Sequence, residues 1–201
     1  GLGDVYKRQH LSLYQLTIEP NTVFERKYKR KELIMPHENI LANFYELTEE
    51  MTKKSNLNAY EVSNYSKTHM ECSHNLNYWN YGEYIGIGPG AHGRVKTQGK
   101  VFATIQHKVP EKWLKDGSHK GRFESSIELK EDEIHEERFL MNMRLTEGIK
   151  IQNLKKAAFK DLIDEGLIKT EDDILSTTLK GRMVLQSLTF QLLERLEAAK
   201  L

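Results

Sequence analysis

The chain has 201 residues, 38% of them apolar and 29% charged, with a formal net charge of +1. That balance is ordinary for a soluble protein with one good core or two small ones, and it gives no overall electrostatic case for nucleic acid or an anionic membrane. No apolar run approaches bilayer length, the first residues carry no signal-peptide pattern, and a single cysteine, Cys72, excludes an internal disulfide framework and fits a reducing cytoplasm.

Residues 1–9, GLGDVYKRQ, have no periodicity and run straight into a strand-like segment. DVYKRQ resembles the translation of a transposase adapter used in sequencing libraries, so residues 1–9 read as a non-native scar. That reading predicts a coding frame continuing upstream of His10. HLSLYQLTI (10–18) alternates Leu11, Leu13 and Gln15 with Ser12, Tyr14 and Leu16, which predicts a strand. Glu19 to Thr22 is a turn, and the basic run Lys27 to Lys31 reads as a solvated loop. Pro36 opens a helix with Ile40, Phe44, Leu47 and Met51 on one stripe. AYEVSNY (59–65) reads as a second strand, and strand, helix, strand at this spacing predicts a βα unit feeding a parallel sheet. One or two such strands make no stable sheet alone, so they read as the last part of a larger α/β barrel.

In YIGIGPGAHG (84–93), Gly88-Pro89-Gly90 forces a tight turn, and the glycines beside Ile85 and Ile87 predict close approach of backbone or ligand. A dinucleotide fingerprint is weak there, because Pro89 stands where a helix should begin. Short helices are expected over 110–116 and 157–168, and longer ones over 130–145 and 178–196. Ile174 to Thr177 reads as a strand. Helix, EGLI, short hairpin, LKGR, helix is a winged-helix-like layout. Its acids Asp161, Asp164 and Glu165 argue against DNA as a partner.

HNLNYW (74–79) carries the chemistry. His69, Cys72 and His74 could contribute to a zinc site, but their spacing matches no common structural finger. His74 beside Tyr78 and Trp79 also suits haem, with an imidazole for the iron and flat rings for the macrocycle. A packed aromatic corner with a hydrogen-bonded histidine is the plainer reading. Asn75 or Asn77 could fix the tautomer of that histidine.

The segments SLYQLTIEPNT, YEVSNYS, ECSHNLNYW, YGEYIGIGPGAHG, RFLMNMRLTEGI and LKGRMVLQSL together resemble the C-terminal half of the HemW family. These radical-SAM proteins look like oxygen-independent coproporphyrinogen III oxidase but act as haem chaperones. HNLNYW fits the family's HNxxYW signature. The resemblance implies an α/β fold: the C-terminal part of a radical-SAM partial (β/α) barrel over residues 10–105, then a mostly helical winged-helix-like domain over 106–201. It implies haem binding by His74, Asn75, Tyr78 and Trp79, with His74 on the iron and Cys72 as the rival ligand. It implies an S-adenosyl-L-methionine pocket whose rim includes Tyr14, Gln15, Ala91 and His92. The family's [4Fe–4S] cluster needs a CxxxCxxC loop, which a chain with one cysteine lacks. The implied partners are haem and a haem-requiring acceptor, met at the cytoplasmic membrane face. A second reading is an enzyme, a SAM-dependent coproporphyrinogen III oxidase or dehydrogenase of porphyrin biosynthesis. A third is a winged-helix nucleic-acid-binding regulator.

Overall fold

The computed structural model describes residues 9–116, 123–152 and 155–198. Residues 1–8, most of the segment read as a scar, lie outside that description. The first elements are β1 (His10–Ser12), α1 (Val23–Lys29), α2 (Glu38–Lys54), β2 (Asn58–Ala59) and β3 (Asn64–Ser66). The basic run expected in a loop instead closes α1. Thr22 caps that helix by accepting from Glu25 N, while the Glu25 carboxylate accepts from Asn21 N, a reciprocal cap. Lys27 and Lys29 then fall in its last turn, where the helix dipole favours cations.

The expected parallel sheet is an antiparallel one instead. β3 pairs antiparallel with both β1 and β2, in the order β1-β3-β2. β1 and β2 therefore run parallel to each other, as a crossover through α2 requires, but β3 returns between them. AYEVSNY is a hairpin rather than one strand because Glu61 folds it back. Glu61 is fully buried, and its Oε1 accepts from Ser63 N at 2.6 Å, Ser63 Oγ at 2.9 Å and Asn64 Nδ2 at 2.7 Å. The strand expected over 10–18 stops at Ser12, because pairing with β3 ends at Ser12 opposite Asn64, with one more bond from Leu13 N to Ser63 O.

α3 (Ser73–Trp79) follows, and then an antiparallel sheet that periodicity did not announce: β4 (His92–Thr97), β5 (Lys100–Gln106) and β6 (Phe123–Glu128) in that order. Its first turn is Gln98-Gly99, both at positive φ (51° and 79°), the two-residue geometry that matches strand twist. α4 (Pro110–Asp116) forms where expected.

The remaining elements are α5 (Glu131–Asn142), β7 (Ile149–Lys150), a 3₁₀ turn (Lys156–Phe159) leading into α6 (Lys160–Asp164), β8 (Ile168–Glu171), β9 (Ile174–Thr177), α7 (Leu179–Met183) and α8 (Leu185–Ala198). β9 has the expected bounds and sits in the middle of an antiparallel sheet, β7-β9-β8. The single helix expected over 178–196 breaks at Val184, whose φ of −119° is not helical. Gly181 lies so close to the 167 carbonyl that a Cβ there would stand 2.0 Å from Leu167 O. This sheet and its helices hold the main core: Phe139, Met143, Phe159, Leu162, Leu188 and Leu192 pack with Ile168 and Leu175.

Candidate functional site

α3 projects from the Cys72 N-cap, which makes no side-chain capping bond. Polar anchors fix it on its inner side. Asn75 Nδ2 donates to the Tyr60 hydroxyl at 3.0 Å, and His10 Nε2 lies 2.7 Å from the same oxygen. Asn77 Nδ2 donates to Glu83 O at 3.0 Å, and Asn142 Nδ2 donates to Trp79 O at 2.6 Å. Both asparagines are thus engaged elsewhere, and neither meets the His74 ring as the sequence had suggested. Gly82 is required here, since a Cβ would stand 2.1 Å from Asn77 Oδ1.

The aromatic rings are packed rather than splayed. Tyr78 meets Trp79 edge-on at 4.8 Å between centroids and Tyr84 at 5.1 Å. The Arg144 guanidinium covers the Trp79 ring at 4.2 Å. His74 differs from all of these. It is exposed, and among the described residues no hydrogen bond, ion pair or ring contact engages its side chain. It precedes Tyr78 by four residues, so the two share one face of the helix. Cys72 is half-buried with a free thiol. Among the described residues no three His, Cys, Asp or Glu side chains gather to hold a metal ion, so His69, Cys72 and His74 do not form the zinc site considered above.

A second polar group holds this corner to α5. Glu137 accepts from Arg94 Nε at 2.8 Å, from Arg94 Nη2 at 2.7 Å and from the Tyr81 hydroxyl at 2.5 Å. The Arg94 guanidinium holds the Glu137 carboxyl below its ordinary range, and burial together with Glu137 pushes the Tyr81 hydroxyl up to about 12.

Of the residues expected around a SAM pocket, Tyr14 and Gln15 share one cleft. Tyr14 is 75% exposed. Gln15 donates to Leu41 O at 2.8 Å. Both line a cleft of about 400 Å³ with Leu13, Ile34, Phe44 and Tyr65. Ala91 closes the Gly88-Pro89-Gly90 turn, its N donating to Gly88 O at 3.2 Å and its O accepting from Gln106 N at 2.8 Å. His92 is exposed on β4, opposite Ile105. Among the described contacts, no hydrogen bond, ion pair or ring contact joins the first pair to the second. The turn is stiff: Gln106 Nε2 donates to Gly86 O at 2.9 Å, and a Cβ at Gly86 would stand 2.1 Å from His92 O.

Sequence reading missed Tyr60, Asn142 and Arg144, which hold α3, and Glu61 and Glu137, which hold their neighbours. One signal was available: Arg144 is a lone cation inside the apolar run FLMNMRL.

Residues 129–184 match the family described as the HemN C-terminal domain. The chain is 38% identical over 200 residues to heme chaperone HemW of Buchnera aphidicola subsp. Schizaphis graminum, covering 91% of this chain and 50% of that protein. It is 34% identical over 191 residues to heme chaperone HemW of Escherichia coli, covering 89% of this chain and 48% of that one. It is 31% identical over 209 residues to the mitochondrial radical S-adenosyl methionine domain-containing protein 1 of Bos taurus, covering 94% and 47%. The chain thus spans about half the length of the curated relatives it matches. Its fold resembles the radical SAM enzyme coproporphyrinogen III oxidase (HemN) of Escherichia coli, with a TM-score of 0.66 over 91% of this chain and 47% of that one at 13% identity. By these likenesses the chain is HemW-like, similar to about half the length of proteins named heme chaperones.

Proposed function

We propose that this chain is the haem-holding part of a radical-SAM haem chaperone, and that α3 is where haem binds. One observation carries the reading: His74 is an exposed, unpartnered imidazole one helical turn before Tyr78, in a helix otherwise tied down on its inner side. A neutral imidazole of that kind can donate to iron. Tyr78 offers its ring to the porphyrin, Trp79 holds Tyr78 edge-on, and Asn75 keeps the helix in place through Tyr60. Cys72 is the rival ligand, two residues earlier.

Of the two cofactors that the radical-SAM relatives imply, the [4Fe–4S] cluster does not fit this chain, whose one cysteine cannot supply three thiolates. Tyr14, Gln15, Ala91 and His92 belong, on this reading, to the rim of a SAM pocket completed by other parts of a longer protein. Residues 10–105 would be barrel and 106–201 a winged-helix-like domain. The order helix, β7, helix, β8, β9 with β9 central supports the second half of that division. Sheet β4-β5-β6 lies across the division, and the 129–184 match begins after it. The acceptor would be a haem-requiring protein met in the cytoplasm or at the membrane face; no described helix is long and apolar enough to cross a bilayer.

The oxidase reading has the fold likeness to HemN behind it, which at 13% identity speaks for the fold alone. The regulator reading is opposed by α6. Its Asp161 is bound by Arg195, Asp164 pairs with Lys160, and little free cation remains there for phosphate.

The test is haem titration of the chain as wild type, His74→Ala and Cys72→Ser. Loss of the ligated Soret band in His74→Ala, with Cys72→Ser unchanged, is the expected result. Unaltered spectra and affinity in His74→Ala would overturn the assignment.

A further inference from the structure

Tyr65 stands opposite Leu11 in the β1-β3 ladder and lines the cleft bounded by the segment after β1, the 33–36 loop and α2. Only 1% of it is exposed. Its hydroxyl makes no hydrogen bond among the described residues, yet it is not sealed from solvent, so it opens on the cleft. Other tyrosines are taken up: Tyr45 donates to Val62 O, Tyr60 meets His10 and Asn75, and Tyr81 donates to Glu137. Burial pushes the Tyr65 hydroxyl well above its ordinary range, so at neutral pH it is a phenol with a proton to give. A donor this deep without an acceptor is uncommon.

We propose that this cleft binds a neutral, mostly apolar carbonyl compound whose oxygen accepts from Tyr65; the proposal goes beyond the haem reading of α3 and does not depend on it. The cleft holds about 400 Å³, within the range of small-molecule sites. The described residues that line it include no Asp, Glu, Lys, Arg or His, so nothing there compensates a charge on the ligand. Its walls are apolar: Leu13, Leu16, Ile34 and Phe44 border it and are left exposed. Gln15 clasps the segment after β1 to α2 through Leu41 O at 2.8 Å, which braces the cleft and leaves its own Oε1 without a partner among the described residues. Water would find the Tyr65 proton but few further bonds along such walls, whereas a carbonyl on an apolar body satisfies both. S-adenosyl-L-methionine, with a sulfonium, an ammonium and a carboxylate, would meet no counter-charge inside this cleft.

The probe is prodan, a neutral naphthalene bearing one ketone, whose emission moves to the blue when that ketone loses a hydrogen bond. It is titrated into the full chain as wild type, Tyr65→Phe, Ile34→Asp and Met51→Asp. Wild type should bind it saturably. Tyr65→Phe keeps the ring and deletes the donor, so affinity should fall roughly fivefold, the scale of one hydrogen bond, and the bound emission should move to the blue. Ile34, 87% exposed, stands at the mouth, and a charge there should abolish saturable binding. Met51 lies on the same α2 stripe but borders a neighbouring depression with Leu11 and Leu57, so Met51→Asp should bind as wild type does. No saturable binding by wild type, or unchanged affinity and emission in Tyr65→Phe, would overturn the proposal. So would equal losses in Ile34→Asp and Met51→Asp, which would assign the probe to the stripe at large, and so would displacement of prodan by S-adenosyl-L-methionine. Light scattering tests a second copy as the occupant: a wild-type dimer that Ile34→Asp turns monomeric would overturn the small-molecule reading. Circular dichroism reports whether Tyr65→Phe keeps its fold. Where it does not, Ile34→Asp decides, because its side chain stands in solvent: binding lost there and kept in Met51→Asp supports the cleft, and binding retained overturns it.

Discussion

Glu137 gathers two nitrogens of Arg94 and the Tyr81 hydroxyl onto one half-buried carboxylate. Its folded pKa lies below the ordinary value of 4.5, chiefly through the bond from Arg94. Its stabilisation is therefore present above about pH 4.5 and is lost as pH falls through the folded value. Tyr81 has the opposite sign: burial raises it from 10 to about 12, so its contribution is present below pH 10 and is lost as pH rises through about 12. Glu137→Gln should cost about 2 kcal/mol at neutral pH, the scale of hydrogen bonds to a charged group. Thermal melts of wild type and variant should converge as pH drops below about 4. A constant gap across that range would remove the carboxylate from the explanation. Groups of this kind were hidden in the sequence. Arg94 and Glu137 stand 43 residues apart, and Glu61 and Arg144 stand 83 apart, so only the fold pairs them. His74 was legible because HNLNYW is itself a local pattern. Its lack of a partner was not, since Asn75 and Asn77 were equally plausible neighbours until their bonds to Tyr60 and Glu83 were seen.

Helix α2 shows how far periodicity carries at the scale of an element. The stripe Ile40, Phe44, Leu47 and Met51 predicted the helix correctly, yet all four side chains are about half exposed. Periodicity marks a face; it does not supply what covers the face. α8 has the same kind of stripe, but Leu188 and Leu192 lie fully in the core against Leu175 and Phe159. Two truncations of similar volume should therefore diverge. Leu192→Ala should cost about 2–5 kcal/mol, as buried leucines do, and Phe44→Ala less than about 1 kcal/mol. Urea titrations of the two variants read the difference, and equal losses would mean that the α2 stripe is covered in solution. β9 was readable because its apolar residues are local and bounded by turns. The β4-β5-β6 sheet was not, because Lys96, Lys100 and Glu128 break its alternation and Gln98-Gly99 is an uncommon turn pair.

The whole molecule joins two unequal parts. The continuous apolar core runs from Phe139 to Leu192, while the segment from His10 to Ser66 buries Leu57, Tyr60 and Tyr65 and leaves many large apolar side chains exposed. Polar contacts tie the two together. Arg182, 9% exposed, donates to Tyr45 Oη at 3.2 Å and to Glu49 Oε1 at 2.9 Å. Tyr45 donates in turn to Val62 O at 3.0 Å, and Thr146 N donates to Tyr60 O at 3.1 Å. Composition and charge bounded the overall size of the core but could not place it, because burial depends on which faces meet. A chain built this way should open in stages, since local stability follows local apolar burial. Native-state hydrogen exchange in rising denaturant should show amides of β9 and α8 exchanging only through global unfolding, with those of β1 and β3 exchanging through an earlier, smaller opening. Arg182→Gln should lower the free energy of that first opening by about 1–3 kcal/mol, because it breaks a largely buried charged pair, and should change the second far less. A single opening shared by β1, β3, β9 and α8, shifted equally by Arg182→Gln, would instead make the chain one cooperative unit in which these polar ties have no separate role.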